Sequence, residues 1–206
     1  MPQHSTRSII RLEIYKLQKF GRAQRIRRKN PMHALTFSRE SASRMLAYWA
    51  DEGFGWTISP TADFFAENIR TGNFEFWTAQ TDGKIAGELY LVKNLPDRDF
   101  ADGEGRCYLC AFRVTPLLRG QGIGSALLSH VLARAAGLGF REASIGVEET
   151  QTQNLRLYRR FGFAQAIKQA RFDPCNILPD GRPCPDHFLL LCRPLDDKPI
   201  SEGDLS

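Results

Sequence analysis

With 206 residues, 42% of them hydrophobic and 25% charged, the chain is long enough for one domain with its own core and too short for two well-filled ones. No apolar run approaches the roughly 18 residues of a membrane-spanning helix, and five cysteines without a secretory leader pattern argue for free thiols in a reducing, cytoplasmic setting rather than for a disulfide scaffold. The net charge of +5 is misleading until it is located: residues 1–30 hold nine basic side chains against the single acid Glu13, so the rest of the chain is mildly acidic and lacks the basic face of a nucleic-acid binder.

Residues 1–32 therefore read as a basic extension, solvated and without structure of its own. An arm for an acidic partner, an Arg-rich transit segment, or a stretch before a truer start at Met32 are its alternatives. The domain proper is expected over 33–195, followed by an acidic tail over 196–206. A helical pattern runs from Ser38 through Met45, Leu46 and Trp49 to Gly53, and a second starts after Pro60 and carries Phe64, Phe65 and Ile69. Phe74 to Gln80 and Lys84 to Val92 are rich in aromatic and branched residues and are joined by Asp82-Gly83, which predicts an antiparallel hairpin. Asn94 to Arg106, with Pro96, two glycines and four acids, reads as a surface loop whose charge faces either a cationic ligand or water.

Cys107 to Val114 predicts a buried central strand. A helix then opens at Gly122 or Ile123, places Leu127, Leu128, Val131, Leu132 and Ala135 on one face, and closes at Gly137 or Gly139. Ala143 to Val147 is the next strand, and a helix from Thr152 carries Leu155, Tyr158 and Phe161 to Gly162. Strands near Ala164 to Phe172 and Phe188 to Cys192 finish the domain around a Pro/Gly loop from Pro174 to Pro185. The order predicts a mixed α/β (α+β) layer with a sheet partly antiparallel and partly parallel, not a doubly wound nucleotide fold.

The stretch Arg119-Gly120-Gln121-Gly122-Ile123-Gly124-Ser125 lies between a buried strand and a helix. Its glycines bare the main chain, and the first amides of a helix have no internal acceptor and attract an anion such as a pyrophosphate. A Walker loop is excluded because no Gly-Lys-Ser/Thr follows, and the spacing fits a dinucleotide fingerprint poorly. Cys107 and Cys110, three apart on a strand, face opposite sides and read as packing rather than as zinc ligands; no metal site is expected. Arg156, Arg159 and Arg160 read as a solvated helix face.

Phe112-Arg113-Val114-Thr115-Pro116 leading into Arg119 to Gly124, followed at about 30 residues by Leu157-Tyr158-Arg159-Arg160-Phe161-Gly162-Phe163, resembles the GNAT superfamily of acetyl-CoA-dependent N-acetyltransferases. The resemblance is close over 107–165 and rests on element order elsewhere. It implies a mostly antiparallel sheet with a central splay, flanked by helices. It further implies acetyl-CoA as cosubstrate: Phe112, Arg113 and Val114 would offer backbone groups to the pantetheine arm, Arg119, Gly120, Gln121, Gly122, Ile123, Gly124 and Ser125 would hold the pyrophosphate, and Tyr158 would point at the thioester sulfur. Where similar proteins often carry Asn seven residues before that tyrosine, this chain has Gln151, with Asn154 closer; either amide could bond the cosubstrate.

Amide formation makes matching physical demands. An alkyl ammonium of pKa about 10.4 lies about 4.6 kcal/mol from its neutral form at pH 7, so a base must take its proton. A phenol near 10 protonates a departing thiolate near 8.5 at a cost of about 2 kcal/mol, which makes Tyr158 a reasonable general acid. Glu148, where the strand from Ala143 ends, is the first choice of base; Glu75, Glu88, Glu104 or a water chain are alternatives. The carboxylate of some similar proteins would fall near Gly146, where this chain has no side chain. The expected activity is acetyl transfer to a primary amine of an unidentified acceptor by direct attack in a ternary complex. The alternative is a non-catalytic acyl-CoA-binding or regulatory module. Expected partners are acetyl-CoA and the amine, with a homodimer allowed, and neither membrane nor nucleic acid.

Overall fold

The computed structural model describes residues 34–51 and 59–195, so the expected basic extension and acidic tail lie outside the described residues. Chain order is β1 (Thr36–Glu40), α1 (Ala42–Asp51), α2 (Pro60–Arg70), β2 (Phe74–Thr81), β3 (Lys84–Val92), β4 (Arg106–Val114), a 3₁₀ turn at Pro116–Leu118, α3 (Ile123–Gly137), β5 (Glu142–Val147), α4 (Thr152–Arg160), β6 (Gln165–Ile177) and β7 (Pro183–Pro194). The strands form one sheet in the order β1-β2-β3-β4-β5-β7-β6, antiparallel throughout except for the parallel pair β4–β5. This is the mixed, mostly antiparallel α/β arrangement anticipated from element order. No helix among the described residues is long and apolar enough to cross a membrane.

Alternation along the strands divides the core between the two faces of the sheet. Leu89, Leu91, Cys107 and Leu109 pack with Leu127, Leu128, Val131 and Leu132 of α3 and with Tyr158 of α4, whereas Phe74, Phe76, Tyr90 and Cys110 pack with Met45 and Trp49 of α1 and Phe65 of α2. Cys107 and Cys110 thus do face opposite ways. Each fully buried large side chain contributes about 1.5–3 kcal/mol, and Tyr90, Phe74 and Phe76 are all buried. The β2–β3 hairpin turns at Asp82 (φ 52°) and Gly83 (φ 71°), the two positive values a two-residue turn of this hand requires. Helix α2 starts where Ser59 accepts the Ala62 amide at 3.1 Å, with Pro60 in the first turn.

Two elements differ from the sequence reading. Thr36–Glu40 is strand β1, paired with β2, so Ser38 belongs to a strand and the helix begins after Ser41. The segment read as a Pro/Gly loop from Pro174 to Pro185 is largely strand: β6 runs to Ile177 and β7 starts at Pro183. Proline is tolerated there because β6 is the last strand of the sheet, and the ladder shifts register between Ala170 and Phe172 and again between Asp173 and Ile177.

Candidate active site

The parallel ladder between β4 and β5 joins Arg106–Leu109 to Glu142–Ile145 and goes no further, although β4 continues to Val114 and β5 to Val147. Beyond it β4 stays on β3 while β5 stays on β7, and a cleft of about 180 Å³ opens between them. Ala111 helps to turn β4 aside. Its φ of 49° is unusual for a residue with a Cβ, and the β3 partner register jumps here from Tyr90↔Cys110 to Glu88↔Arg113, the mark of a bulge. Side chains lining the cleft include Tyr108, Phe112, Glu148, Tyr158, Asp173 and Asp186.

Next to the open end of β4, the chain turns through Gly120 (φ 76°) and Gly122 (φ 83°) into α3. A Cβ at either glycine would meet no protein atom within 4 Å, so the space above them is empty of protein. The Ala126 amide bonds the Gly122 carbonyl at 2.9 Å, whereas among the described residues no hydrogen bond is donated by the amides of Gly120 to Ser125. Arg119 braces the turn by donating Nε to the Val114 carbonyl at 3.0 Å. Gly124 serves packing instead: a Cβ there would lie 3.2 Å from Val114 Cγ2 and 3.3 Å from Phe112 Cζ, so the turn sits directly against the strand end. The result is a run of outward main-chain donors at the positive end of a 15-residue helix, fitted to an anion.

Tyr158 comes to the cleft from α4. It is 4% exposed, lies 6.4 Å from the Phe112 ring and 6.1 Å from Phe163, and no hydrogen bond among the described residues reaches its hydroxyl. Burial pushes its pKa well above the ordinary phenol value. Glu148, half-buried at the end of β5, accepts Gln151 Nε2 at 3.2 Å, and Gln151 Oε1 accepts Asn154 Nδ2 at 2.7 Å. Gln151 lines the cleft, whereas Asn154 is exposed on α4, spent on Gln151. The Arg113 side chain turns to Glu88 and sits 5.9 Å over the Trp49 ring, away from the cleft lining. Arg156, Arg159 and Arg160 are exposed.

The other carboxylates considered as bases have structural employment. Glu88 is wholly buried and accepts from Arg113, from Trp49 Nε1 at 3.3 Å and from Tyr90 at 3.2 Å; burial pushes its carboxyl up against the pull of Arg113. Glu75 binds Arg134, Trp77, Lys93 and Arg39. Glu104 is exposed, in a turn whose Asp102 Oδ1 accepts the amides of Glu104, Gly105 and Arg106 at 2.8–2.9 Å. The acids of the 94–106 loop do not face the cleft: Asp97 and Asp99 both hold Lys168, at 2.6 and 2.9 Å.

A family profile described as acetyltransferase (GNAT) family matches residues 43–163. The chain belongs to this family. Relatives of the GNAT chain include the mycothiol acetyltransferase of Mycobacteroides abscessus, 33% identical over 60% of this chain and 40% of that protein, and the human N-acetyltransferase 8B, 34% identical over 43% and 37%. The match thus spans well under half the length of either relative. Among solved structures, the ribosomal-protein-S18-alanine N-acetyltransferase of Escherichia coli superposes with a TM-score of 0.56 at 19% identity, covering 82% of this chain and 97% of that one. A GNAT family acetyltransferase of Elizabethkingia anophelis with acetyl-CoA bound gives 0.54 at 21%, covering 78% and 97%. These likenesses carry the fold.

In this GNAT chain the bare position at Gly146 has a steric cause. A Cβ there would fall 2.7 Å from Phe188 Cε2 and 3.1 Å from the Tyr108 hydroxyl, so no carboxylate side chain fits and the ring of Phe188 fills its place. The sequence reading missed Asp173 and Asp186. They flank the stretch taken for a loop, Asp173 just before Pro174 and Asp186 just after Pro185, and both line the cleft from the β6–β7 hairpin. Had Phe172 to Ile177 been read as an edge strand, its alternation would have been the signal.

Proposed function

We propose that the chain transfers the acetyl group of acetyl-CoA to a primary amine by direct attack within a ternary complex. The observation that carries this reading is the run of amides from Gly120 to Ser125, unbonded among the described residues and set against the end of a strand that parts from its neighbour to leave a cleft. Those amides would hold the diphosphate, and the freed edge of β4 at Phe112 to Val114 would guide the pantetheine arm between them and the cleft. Acetyl-CoA supplies an activated thioester. The amine lone pair forms the new C–N bond at its carbonyl carbon, and the C–S bond then breaks.

The attacking ammonium sheds two protons, and the departing thiolate takes up one. Glu148, at the mouth of the cleft with Gln151 bonded to it, takes the proton of the attacking ammonium directly or through water. Tyr158 donates its phenolic proton to the departing thiolate and is restored by the second proton, which the newly acylated nitrogen loses. Burial holds that phenol protonated at neutral pH, so the acid is in its donating form before each turnover, although the same burial makes its proton costlier to give than that of an ordinary phenol; no protein acceptor among the described residues competes for it. The test is release of free thiol by purified protein supplied with acetyl-CoA and an amine panel. Tyr158→Phe should lower kcat by about 100-fold with acetyl-CoA affinity unchanged; equal rates in the variant would remove Tyr158 from the reaction, and acetyl-CoA binding without thiol release would favour a non-catalytic acyl-CoA-binding module.

A further inference from the structure

Among the described residues, fourteen line the cleft, three of them carboxylates, Glu148, Asp173 and Asp186, and none of them Lys, Arg or His. Elsewhere around the sheet several buried or half-buried acids meet cations: Glu75 meets Arg134, Glu88 meets Arg113, Glu142 meets Arg106 at 2.6 Å, and Asp97 meets Lys168. Asp173 and Asp186 have no ion-pair partner among the described residues. Asp173 accepts only backbone amides, including that of Cys175 at 2.9 Å, and Asp186 accepts the His187 amide at 2.8 Å. They stand on facing strands of one hairpin, next to the paired positions Phe172↔Pro185 and Asp173↔Cys184. Burial, with the charge of Asp186 added, pushes the Asp173 carboxyl up, as expected of like charges awaiting a cation.

A second observation points to a ligand at the same place. Tyr108 and Tyr158 are each 4% exposed and line the cleft, and neither hydroxyl has a hydrogen-bond partner among the described residues. Neither hydroxyl is sealed off from the cleft, and both belong to the lining that also carries the three acids.

We infer that Asp173 and Asp186 are the specificity-determining pair of the acceptor subsite, and that the acceptor is a linear aliphatic amine with a second, retained ammonium group, a diamine or polyamine. The inference rests on the acetyl transfer proposed above. The reacting nitrogen must shed its charge before it attacks, so it cannot neutralise carboxylates that stay ionised through the reaction. A second ammonium keeps its charge throughout and can be shared by the two aspartates, while Glu148 serves the nitrogen that reacts. A carboxylate-bearing amine would meet three like charges and be excluded.

The full chain, saturated with acetyl-CoA, is assayed by thiol release with 1,4-diaminobutane, 1-aminobutane and 4-aminobutanoate. The diamine should exceed the monoamine in kcat/KM by at least about tenfold, with 4-aminobutanoate the poorest, since a hydrogen-bonded charge pair is worth that much. Asp173→Asn with Asp186→Asn should raise KM for the diamine by about tenfold or more, leave kcat within about threefold and erase the discrimination against 4-aminobutanoate, while Asp186→Glu should restore it. If the double variant does not fold, each single Asn variant reads the same KM change. Equal use of the three amines by the wild-type protein, a preference for 4-aminobutanoate, turnover of none of them, or an undiminished preference in the variants would overturn the inference. Calorimetry with acetyl-CoA separates the two levels. Binding together with thiol release to all amines alike sinks only the acceptor assignment, whereas absent binding sinks acetyl transfer and the acceptor assignment with it.

Discussion

Replacing Glu75 by glutamine should destabilise the domain by about 3 kcal/mol at neutral pH and leave acetyl transfer chemistry intact. The Glu75 carboxylate is 2% exposed and holds four side chains from four places: Arg134 of α3 at 2.9 and 3.0 Å, Trp77 of β2 at 3.0 Å, Lys93 just after β3 at 3.3 Å and Arg39 of β1 at 3.5 Å. Burial alone would push this carboxyl up, but the arginine, indole and lysine donors outweigh it and hold it down at about 2. Against an ordinary glutamate near 4.3, that displacement corresponds to about 3 kcal/mol of stability from the ionised form. Because the folded value is depressed, the contribution is complete above about pH 5 and is lost as the pH falls toward about 2. Melting curves of both proteins by circular dichroism at low salt should therefore differ by about 9 °C at pH 7 for a domain of this size, with the gap closing as the solution is acidified. Curves that coincide within a degree or two at all pH values would refute the reasoning. So would a variant of unchanged stability that no longer acetylates, which would return Glu75 to the list of bases.

Two further substitutions probe the cleft and the turn. Gly146→Ala should cost about 1–3 kcal/mol by overpacking, because its Cβ would press on the Phe188 ring from 2.7 Å; an unchanged denaturant midpoint would contradict the fit described for that ring. Gly122→Val combines a positive φ of 83° with a branched side chain placed where no protein atom lies within 4 Å, so calorimetry should find acetyl-CoA binding weakened by about tenfold or more, whereas undiminished binding would dismiss the turn as the diphosphate cradle.

The elements that were legible in the sequence are those whose cause is local. Asp82-Gly83 announces its hairpin because both residues tolerate positive φ, and α3 announces itself because five apolar residues at helical spacing follow a glycine turn. Strand β1 was not legible: Phe37 is its single large apolar residue, and its strand character comes from partners some 40 residues away on β2. The far ends of β6 and β7 were hidden by Pro174, Pro179, Gly181, Pro183 and Pro185, which signal a loop in isolation and are accommodated only at the rim of a sheet. The same contrast holds in the site. The glycine turn and Tyr158 could be named from motifs, whereas the idle acids Asp173 and Asp186 stand out only once Lys168, Arg134 and Arg113 are seen to have taken up Asp97, Asp99, Glu75 and Glu88.

Among the described residues, strand β6 has a neighbour on one side alone. The turn proposed to hold the acyl donor is wedged between a core helix and a central strand, where almost any change is felt throughout the domain. The aspartates hang instead from a peripheral ribbon already irregular at three points. Such a ribbon can be trimmed, lengthened or recharged without repacking the centre, so on the proposed reading descendants of this chain are free to change what they modify while keeping what they modify it with.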